Sequence, residues 1–274
     1  MPGHSNHLAL IAPLYSWWKN RYLIGQMIKR EVLERYKGSI FGLIWSFMHP
    51  LLMLLVYMFV FGIVFKMRWG IEQESDVQFA IVLFAGLIVH ALFSECLTRA
   101  PSLILSNAHF VKKVVFPLEV LTIVSMGTAL FHMIVSLGIL LVFFFVANFL
   151  INWTIVFLPV ILLPLVLMAL GVSWFISSLS VFMRDVTQVV GILSTVLLFL
   201  SPIFYPLSAV PEVLRTYLYL NPLTVIIEQV RKVVIWGTLP DWGPLAVHFV
   251  VSLTVMWIGY WWFNRTRKAF ADVI

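Results

Sequence analysis

The stretch PLEVLTIVSMGTALFHMIVSLGILLVFFFVANFL, residues 117–150, decides the fold class of this chain. It contains one acid, Glu119, and no lysine or arginine. A transmembrane helix needs about 20 mostly apolar residues to cross roughly 30 Å of hydrocarbon. Because this stretch is longer than that, it predicts a membrane-spanning helix that tilts or that includes interfacial turns.

The composition of the whole chain extends this interpretation. Of the 274 residues, 62% are hydrophobic and 11% are charged, and the mean hydropathy is +1.01. Soluble proteins carry about 25% charged residues, so a soluble globular domain is excluded. The net charge of +6 is typical of a membrane protein with basic cytoplasmic loops. We therefore predict no nucleic-acid partner.

Further apolar stretches make the chain a polytopic, all-α membrane protein with a single transmembrane domain, residues 1–274. The join between the third and fourth spans, at Asn152, is the least certain boundary. The six predicted spans cover about 39–65, 77–97, 117–150, 153–183, 186–205 and 244–263.

The distribution of basic residues predicts the orientation of these spans. Most of the 18 lysines and arginines fall on the side that holds both termini, including those in residues 19–37 and 265–268. Cytoplasmic loops carry an excess of lysine and arginine. Both termini are therefore predicted to be cytoplasmic.

Three segments are predicted not to span the membrane. Residues 14–37 form an amphipathic helix on the cytoplasmic surface, with Trp18 and Tyr22 on its apolar face. Residues 101–113 form a short cytoplasmic helix, which Pro101 opens. Residues 207–239 form two short helices on the outer side, which dip into the membrane or lie on it.

The boundaries of these outer helices follow from turn-forming residues. Pro211 and Pro222 are typical of helix starts, and Gly237 is typical of a helix end. The longer of the two helices covers about 22 Å, which is less than the hydrocarbon thickness. Irregular backbone at membrane depth is tolerated only where protein or water covers it, so this region is predicted to be the mouth of a pathway.

Several chemistries lack their signatures in the sequence. There is no GxxxxGK[ST] loop for ATP and no metal-ligand spacing of cysteine and histidine. The spans contain few acids, which disfavours a proton-coupled carrier, and no carboxylates cluster as in a membrane-bound transferase. We predict a transport protein rather than an enzyme, with no catalytic residue, metal or cofactor on this chain. The alternative from a different functional class is a channel or a proton-coupled carrier.

Three segments resemble the ABC type-2 permeases that export polysaccharides. The first is IKREVLERYKGSIFGLIWSFMHPLL, residues 28–52, the second is SNAHFVKKVVFPLEVL, residues 106–121, and the third comprises the C-terminal runs starting at Phe182 and Asn221. The motif positions in the first segment are Arg35, Tyr36, Lys37, Gly38, Ser39, Gly42, Leu43, Trp45 and Pro50.

The resemblance implies a bacterial inner-membrane exporter. Two copies of the chain would form the pathway, and two copies of a separate cytosolic ATPase, which binds ATP and Mg²⁺, would drive it. The substrate would be a lipid-linked polysaccharide, foremost O-antigen on undecaprenyl pyrophosphate. Capsular polysaccharide, teichoic acid, and a smaller lipid or drug are the alternatives within the family.

The resemblance also assigns roles to individual residues. The ATPase would dock on the coupling residues, the lipid pyrophosphate would enter past three cations, and aromatic side chains would form an outer gate. The coupling residues are Asn107, His109, Lys112 and Lys113; the cations are Arg30, Arg35 and Lys37; the gate residues are Tyr205, Tyr217, Tyr219 and Trp236.

Overall fold

A computed structural model describes residues 17–65, 69, 76–112 and 116–274, and every regular element in this part of the chain is a helix. The helices are α1 Arg21–Arg35, α2 Trp45–Tyr57, α3 Asp76–Leu103, α4 Ala108–Val111, α5 Glu119–Asn148, α6 Leu158–Phe182, α7 Val186–Leu200, α8 Glu212–Leu218, α9 Thr224–Arg231, α10 Trp242–Thr266 and α11 Phe270–Val273. Short 3₁₀ turns precede α2, α4, α6 and α8, and π-helical turns extend α2 to Val64 and α9 to Trp236.

The predicted all-α membrane fold is confirmed. Five helical stretches are long and apolar enough to cross a membrane, and they correspond to five of the six predicted spans. The remaining one, α7, has 15 residues and covers only about 22 Å. It ends at Leu200 because Ser201 precedes Pro202 and is extended.

Helix α3 is the centre of the bundle. Of the 18 most apolar consecutive residues in the span formed by α3, 67% are buried. The corresponding fraction in the span that contains α2 is 11%. The main hydrophobic core runs along α3 and includes residues of α5, α6, α7 and α9. The first span therefore lies at the periphery of the single chain.

Helices α6 and α10 cross with their backbones in contact. A Cβ atom on Gly171 would lie 2.5 Å from the Cα atom of Met256, and a Cβ atom on Gly259 would collide with the backbone of Gly171. Small residues let membrane helices approach this closely. The crossing also brings the ring of Tyr260 edge-on against Trp174.

Helix α1 runs alongside α5. Ile24 packs with Val120 and Val124 at the start of α5, and Ile28 lies against Gly127 one turn further on. Trp18 and Tyr22, on the predicted apolar face, are exposed and take no part in the contact with α5. Tyr22 lies two residues before Ile24, which turns its side chain well away from the contact with α5.

The predicted short helix at 101–113 begins later than expected. Helix α3 continues through Pro101 to Leu103, followed by a 3₁₀ turn, Leu105–Asn107, and α4, Ala108–Val111. The prediction that Pro101 opens a new helix was wrong. The hydroxyl of Ser180 donates to the carbonyl of Pro101, so the last turn of α3 remains paired with α6 despite the missing proline N–H.

Two short helices lie in the segment predicted to form the outer helices, and they begin near the predicted prolines. Helix α8 follows Pro211 directly, and α9 begins two residues after Pro222. The π-helical extension of α9 ends at Gly237, whose φ of 63° is left-handed. The side chain of Asn152, in the linker between α5 and α6, donates to the carbonyls of Val234 and Ile235.

Candidate functional site

A cavity of about 990 Å³ lies between α1, α2, α3, α5 and α7. We call it the central cavity. Its wall combines aromatic and aliphatic side chains with charged, imidazole and hydroxyl groups, although four of its five helices belong to predicted spans. The polar and aromatic residues of its wall are Glu31, Glu34, Arg35, Tyr36, Trp45, Ser46, His49, Tyr57, Phe84, His90, Ser94, Glu95, Thr98, Arg99, Thr128, His132 and Ser136.

The carboxylate of Glu95, on α3, is the centre of an ionic cluster in this wall. One oxygen accepts from Arg35 Nη1 at 2.5 Å and lies 3.6 Å from Arg99 Nη1. The other oxygen lies 3.1 Å from His132 Nδ1. The partners come from α1, α3 and α5, so the cluster joins these three helices. Buried charges persist in apolar surroundings only when they are paired in this way.

Two further interactions complete the cluster. Arg99 also pairs with Glu31 on α1. The hydroxyl of Tyr36 lies 3.2 Å from His132 Nε2. When this hydroxyl donates to Nε2, the proton on Nδ1 points to Glu95 and both ring nitrogens are satisfied. Burial of Tyr36 raises the pKa of its phenol, opposed by the charge of Arg35 and reinforced by that of Glu95.

Helix α7 contributes a second polar contact to the cavity. The hydroxyls of Ser94 and Ser194 are 2.5 Å apart, and His90 Nε2 donates to the carbonyl of Ser194 at 3.2 Å. The side chains of His90 and Ser94 lie one turn apart on the face of α3 that lines the cavity. Sequence reasoning missed these residues because isolated polar residues in spans are more often packing contacts.

The structure separates the three cations predicted to meet the lipid pyrophosphate. Arg35 alone reaches the central cavity. Arg30 is exposed and pairs with Glu34 at 2.7 Å along the same helix. Lys37 is exposed, and it shares with Arg30 a shallow groove on the outside of α1.

The predicted coupling residues lie in and around α4. The side chain of Asn107 donates to the carbonyl of Leu103 at 2.9 Å and closes the turn after α3. The ring of His109 lies 4.0 Å from that of Phe110, and Lys112 is exposed. Lys113 lies outside the described residues.

The four predicted gate residues occupy different environments. Tyr217 and Tyr219 are exposed on and just after α8. The hydroxyl of Tyr205 donates to the carbonyl of Phe199. Trp236 is partly buried in a cluster with Trp69 and Phe79. Only Tyr217 and Tyr219 therefore offer open aromatic faces.

Arg231 is the residue of the outer region that sequence reasoning missed. Its side chain is fully buried, its guanidinium donates to the carbonyls of Val82, Pro202 and Ile203, and it pairs with Glu228 at 3.0 Å. The guanidinium also lies 4.4 Å from the centre of the Trp69 ring. These contacts fasten α9 to the first turns of α3 and to the turn after α7.

Within the part of the chain that the structure describes, no three His, Cys, Asp or Glu side chains are grouped to hold a metal ion. The pattern of the family described as ABC-2 type transporter matches residues 22–235. The O-antigen export system permease protein RfbA of Myxococcus xanthus is 29% identical, over 97% of this chain and 100% of that protein.

Two more distant relatives are named for O-antigen export and for polysialic acid transport. RfbA of Klebsiella pneumoniae, also an O-antigen export system permease protein, is 24% identical over 92% of this chain and 95% of its own length. The polysialic acid transport protein KpsM of Escherichia coli is 24% identical over 87% of this chain and 91% of its own length.

Proposed function

Because the chain belongs to the ABC-2 type transporter family, we propose that it is the membrane-spanning subunit of an ATP-driven exporter of lipid-linked polysaccharide. The preferred substrate is O-antigen on undecaprenyl pyrophosphate, moved from the cytoplasm across the bacterial inner membrane. Similarity to permeases named for O-antigen export, along almost the full length of the chain, supports this choice.

The central cavity is the observation that carries the proposal at the level of chemistry. Its wall provides hydroxyl, imidazole and carboxylate groups that can exchange hydrogen bonds with sugar hydroxyls. The rings of Trp45, Tyr57 and Phe84 provide apolar faces on which the C–H faces of sugar rings can pack. A cavity for a purely apolar lipid would not contain so many buried polar groups.

The basic residues of α1 suit the lipid pyrophosphate of such a substrate. Arg30 and Lys37 lie on the exposed side of α1, where an anionic headgroup would first meet the protein. Arg35 lies deeper, in the wall of the cavity. Planar guanidinium groups bind phosphate oxygens with two parallel hydrogen bonds. These positions are consistent with a headgroup that moves from the surface groove to the cavity.

A separate ATPase subunit, which binds ATP and Mg²⁺, would supply the energy. In this proposal two ATPase copies dock beside Asn107, His109, Lys112 and Lys113 of two permease copies, on the cytoplasmic side together with both termini. Because Asn107 closes the turn that joins α3 to α4, a push on α4 would displace the end of α3. That end carries Glu95 and Arg99, so the movement would reshape the cavity wall.

A capsular polysaccharide is the second candidate substrate. Similarity to KpsM, a polysialic acid transport protein, supports this alternative. Polysialic acid is itself anionic, so an acidic polymer would have to pass the carboxylates of Glu31, Glu34 and Glu95. A neutral O-antigen chain avoids this repulsion, which is why we prefer it.

The test is depletion of the protein in its host, followed by mass spectrometry of the lipid-linked glycans that accumulate. We expect undecaprenyl-pyrophosphate polysaccharide on the cytoplasmic side. Inactivating the ATP site of the partner ATPase should give the same accumulation. A glycan trapped on a phospholipid would indicate capsule export, and the absence of any trapped glycan would contradict polysaccharide export.

A further inference from the structure

The ionic cluster of the central cavity is an anion-binding site that already contains an anion. The carboxylate of Glu95 accepts or faces three donors, Arg35, Arg99 and His132, on three different helices. A carboxylate and a phosphate present the same feature to such donors, namely negatively charged oxygens that accept several hydrogen bonds. The site therefore has the chemistry of a phosphate-binding site in which the carboxylate of Glu95 takes the place of the phosphate.

The charges of the cluster explain why a carboxylate lies between the arginines when no substrate is bound. The guanidinium groups of Arg35 and Arg99 face the carboxylates of Glu95 and Glu31, so these four charges balance. The side chain of Arg35 is 50% exposed and that of Arg99 is 31% exposed, and without the carboxylates these two like charges would repel each other across the cavity wall. A substrate phosphate can bind there only when it replaces a carboxylate, because otherwise anionic groups would share the donors and repel one another.

The two carboxylates differ in how they can be replaced. Glu31 and Arg35 lie on the same helix, α1, and Glu31 engages Arg99. Glu95 engages Arg35, Arg99 and His132 together, with its side chain 18% exposed at the cavity wall. Replacement of Glu95 would open the point on which Arg35, Arg99 and His132 converge, with Arg99 still in contact with Glu31.

We propose that Arg35, Arg99 and His132 bind the diphosphate group of the transported lipid, and that Glu95 occupies their site when no substrate is bound. This inference rests on the proposed function and extends it. Binding of a diphosphate breaks the contact between Arg35 on α1 and Glu95 on α3. The diphosphate would then bridge Arg35 on α1 and Arg99 on α3 in place of that ion pair, next to the Glu31–Arg99 contact between the same two helices.

The proposal is tested by titrating the purified full-length permease in detergent with inorganic pyrophosphate, using calorimetry. Glu95→Gln removes the competing charge and keeps the size of the side chain, so we expect pyrophosphate to bind about tenfold more tightly, in line with one favourable charge-assisted hydrogen bond. Arg99→Gln should weaken binding at least as much.

Glu34→Gln is the matched control, since it removes one negative charge from the same cavity wall but from a residue paired with the exposed Arg30. Equal tightening by Glu34→Gln and Glu95→Gln would overturn the proposal, because it would indicate only a general change of potential. If Glu95→Gln does not fold, Glu95→Asp, which retracts the carboxylate by one methylene, should show a smaller tightening, and no tightening would overturn the proposal.

Glycerol phosphate distinguishes a phospholipid headgroup from a diphosphate. We expect it to bind more weakly than pyrophosphate to Glu95→Gln, and equal affinity would contradict the diphosphate assignment. These titrations are independent of glycan accumulation in cells. If Glu95→Gln binds pyrophosphate more tightly but no glycan accumulates on depletion, polysaccharide export is refuted and the anion site is supported. If glycan accumulates but Glu95→Gln binds pyrophosphate no more tightly, the anion site is refuted and polysaccharide export is supported.

Discussion

At the scale of single residues, Arg231 shows how the outer region is held. Burying a guanidinium is unfavourable unless hydrogen bonds and a counter-charge compensate for the lost water. Here three carbonyls, Glu228 and the ring of Trp69 do so. Burial lowers the pKa of Arg231 to about 10, opposed by the nearby charge of Glu228, so the side chain stays protonated at neutral pH.

Arg231→Lys should destabilise the protein by about 3 kcal/mol, because an ammonium cannot reach all these acceptors at once. We expect the melting temperature in detergent to fall by roughly 5–10 °C. Arg215→Lys is the matched control, since Arg215 donates to the carbonyls of Ser208 and Val210 but is only half-buried. Equal losses for both variants would contradict the special role of Arg231.

Asp241 gives a pH-dependent prediction at the same scale. Hydrogen bonds from Lys232 and Gln229 lower the pKa of its carboxyl. A lowered folded-state pKa contributes stability above the ordinary aspartate pKa, and this contribution is lost as the pH falls through the lowered value. Between about pH 5 and pH 3, the melting temperature of Asp241→Asn should therefore fall less than that of the wild type. Parallel pH profiles would refute this, and the effect should be small because the carboxyl is largely exposed.

The sequence could predict some of the functional residues but not their partners. Arg35 was found because it lies in a recognisable motif, RYKGS, on a basic helix. Its partner Glu95 lies 60 residues away, and Arg231 donates to a carbonyl 149 residues away. Within its own segment Arg231 adjoins Lys232 and resembles any other cation on an amphipathic helix. Such pairs depend on how the spans pack, which hydropathy does not encode.

At the scale of helices, length and apolar character were enough to predict five of the six spans, whereas contacts between helices could not be predicted. Pro101 was expected to begin a helix, but α3 continues past it to Leu103, and the hydroxyl of Ser180 on α6 donates to the carbonyl of Pro101. The packing of Ile24 of α1 against α5 was likewise not predicted. Both details depend on which helices are neighbours, which local preference does not determine.

The crossing of α6 and α10 gives the prediction at this scale. Gly171→Ala or Gly259→Ala would place a methyl group inside the backbone of the facing helix. We expect a destabilisation of about 3 kcal/mol or more, measured as loss of folded protein after detergent extraction. Gly138→Ala is the control, because a Cβ atom there meets nothing within 4 Å. Normal yields of folded Gly171→Ala and Gly259→Ala protein would show that α6 and α10 can move apart without loss of stability.

At the scale of the whole molecule, the ends of the bundle differ in character. Helix α4, the end of α3 and the basic residues of α1 lie towards one end, while α8, α9 and their prolines follow the opposite ends of the spans. The excess of positive charge predicts that the first of these ends is cytoplasmic. The orientation of the molecule can therefore be tested with two positions.

Ser102 and Ser208 are exposed at opposite ends of the bundle, and the single cysteine, Cys96, is buried. In intact cells a membrane-impermeant maleimide should label Ser208→Cys but not Ser102→Cys, and permeabilisation should expose both. The wild type should stay unlabelled throughout, because a buried thiol is unreactive. Labelling of Ser102→Cys in intact cells would invert the predicted orientation.

The glycine contact between α6 and α10 also bears on how this chain can change over generations. A side chain that grows inside a core can usually be accommodated when its neighbour shrinks. Gly171 and Gly259 leave no smaller residue to adopt, and each faces backbone atoms of the other helix rather than a side chain that could be shortened. A selection for second-site suppressors of Gly259→Ala should therefore yield true revertants at codon 259, with no compensating change at position 171.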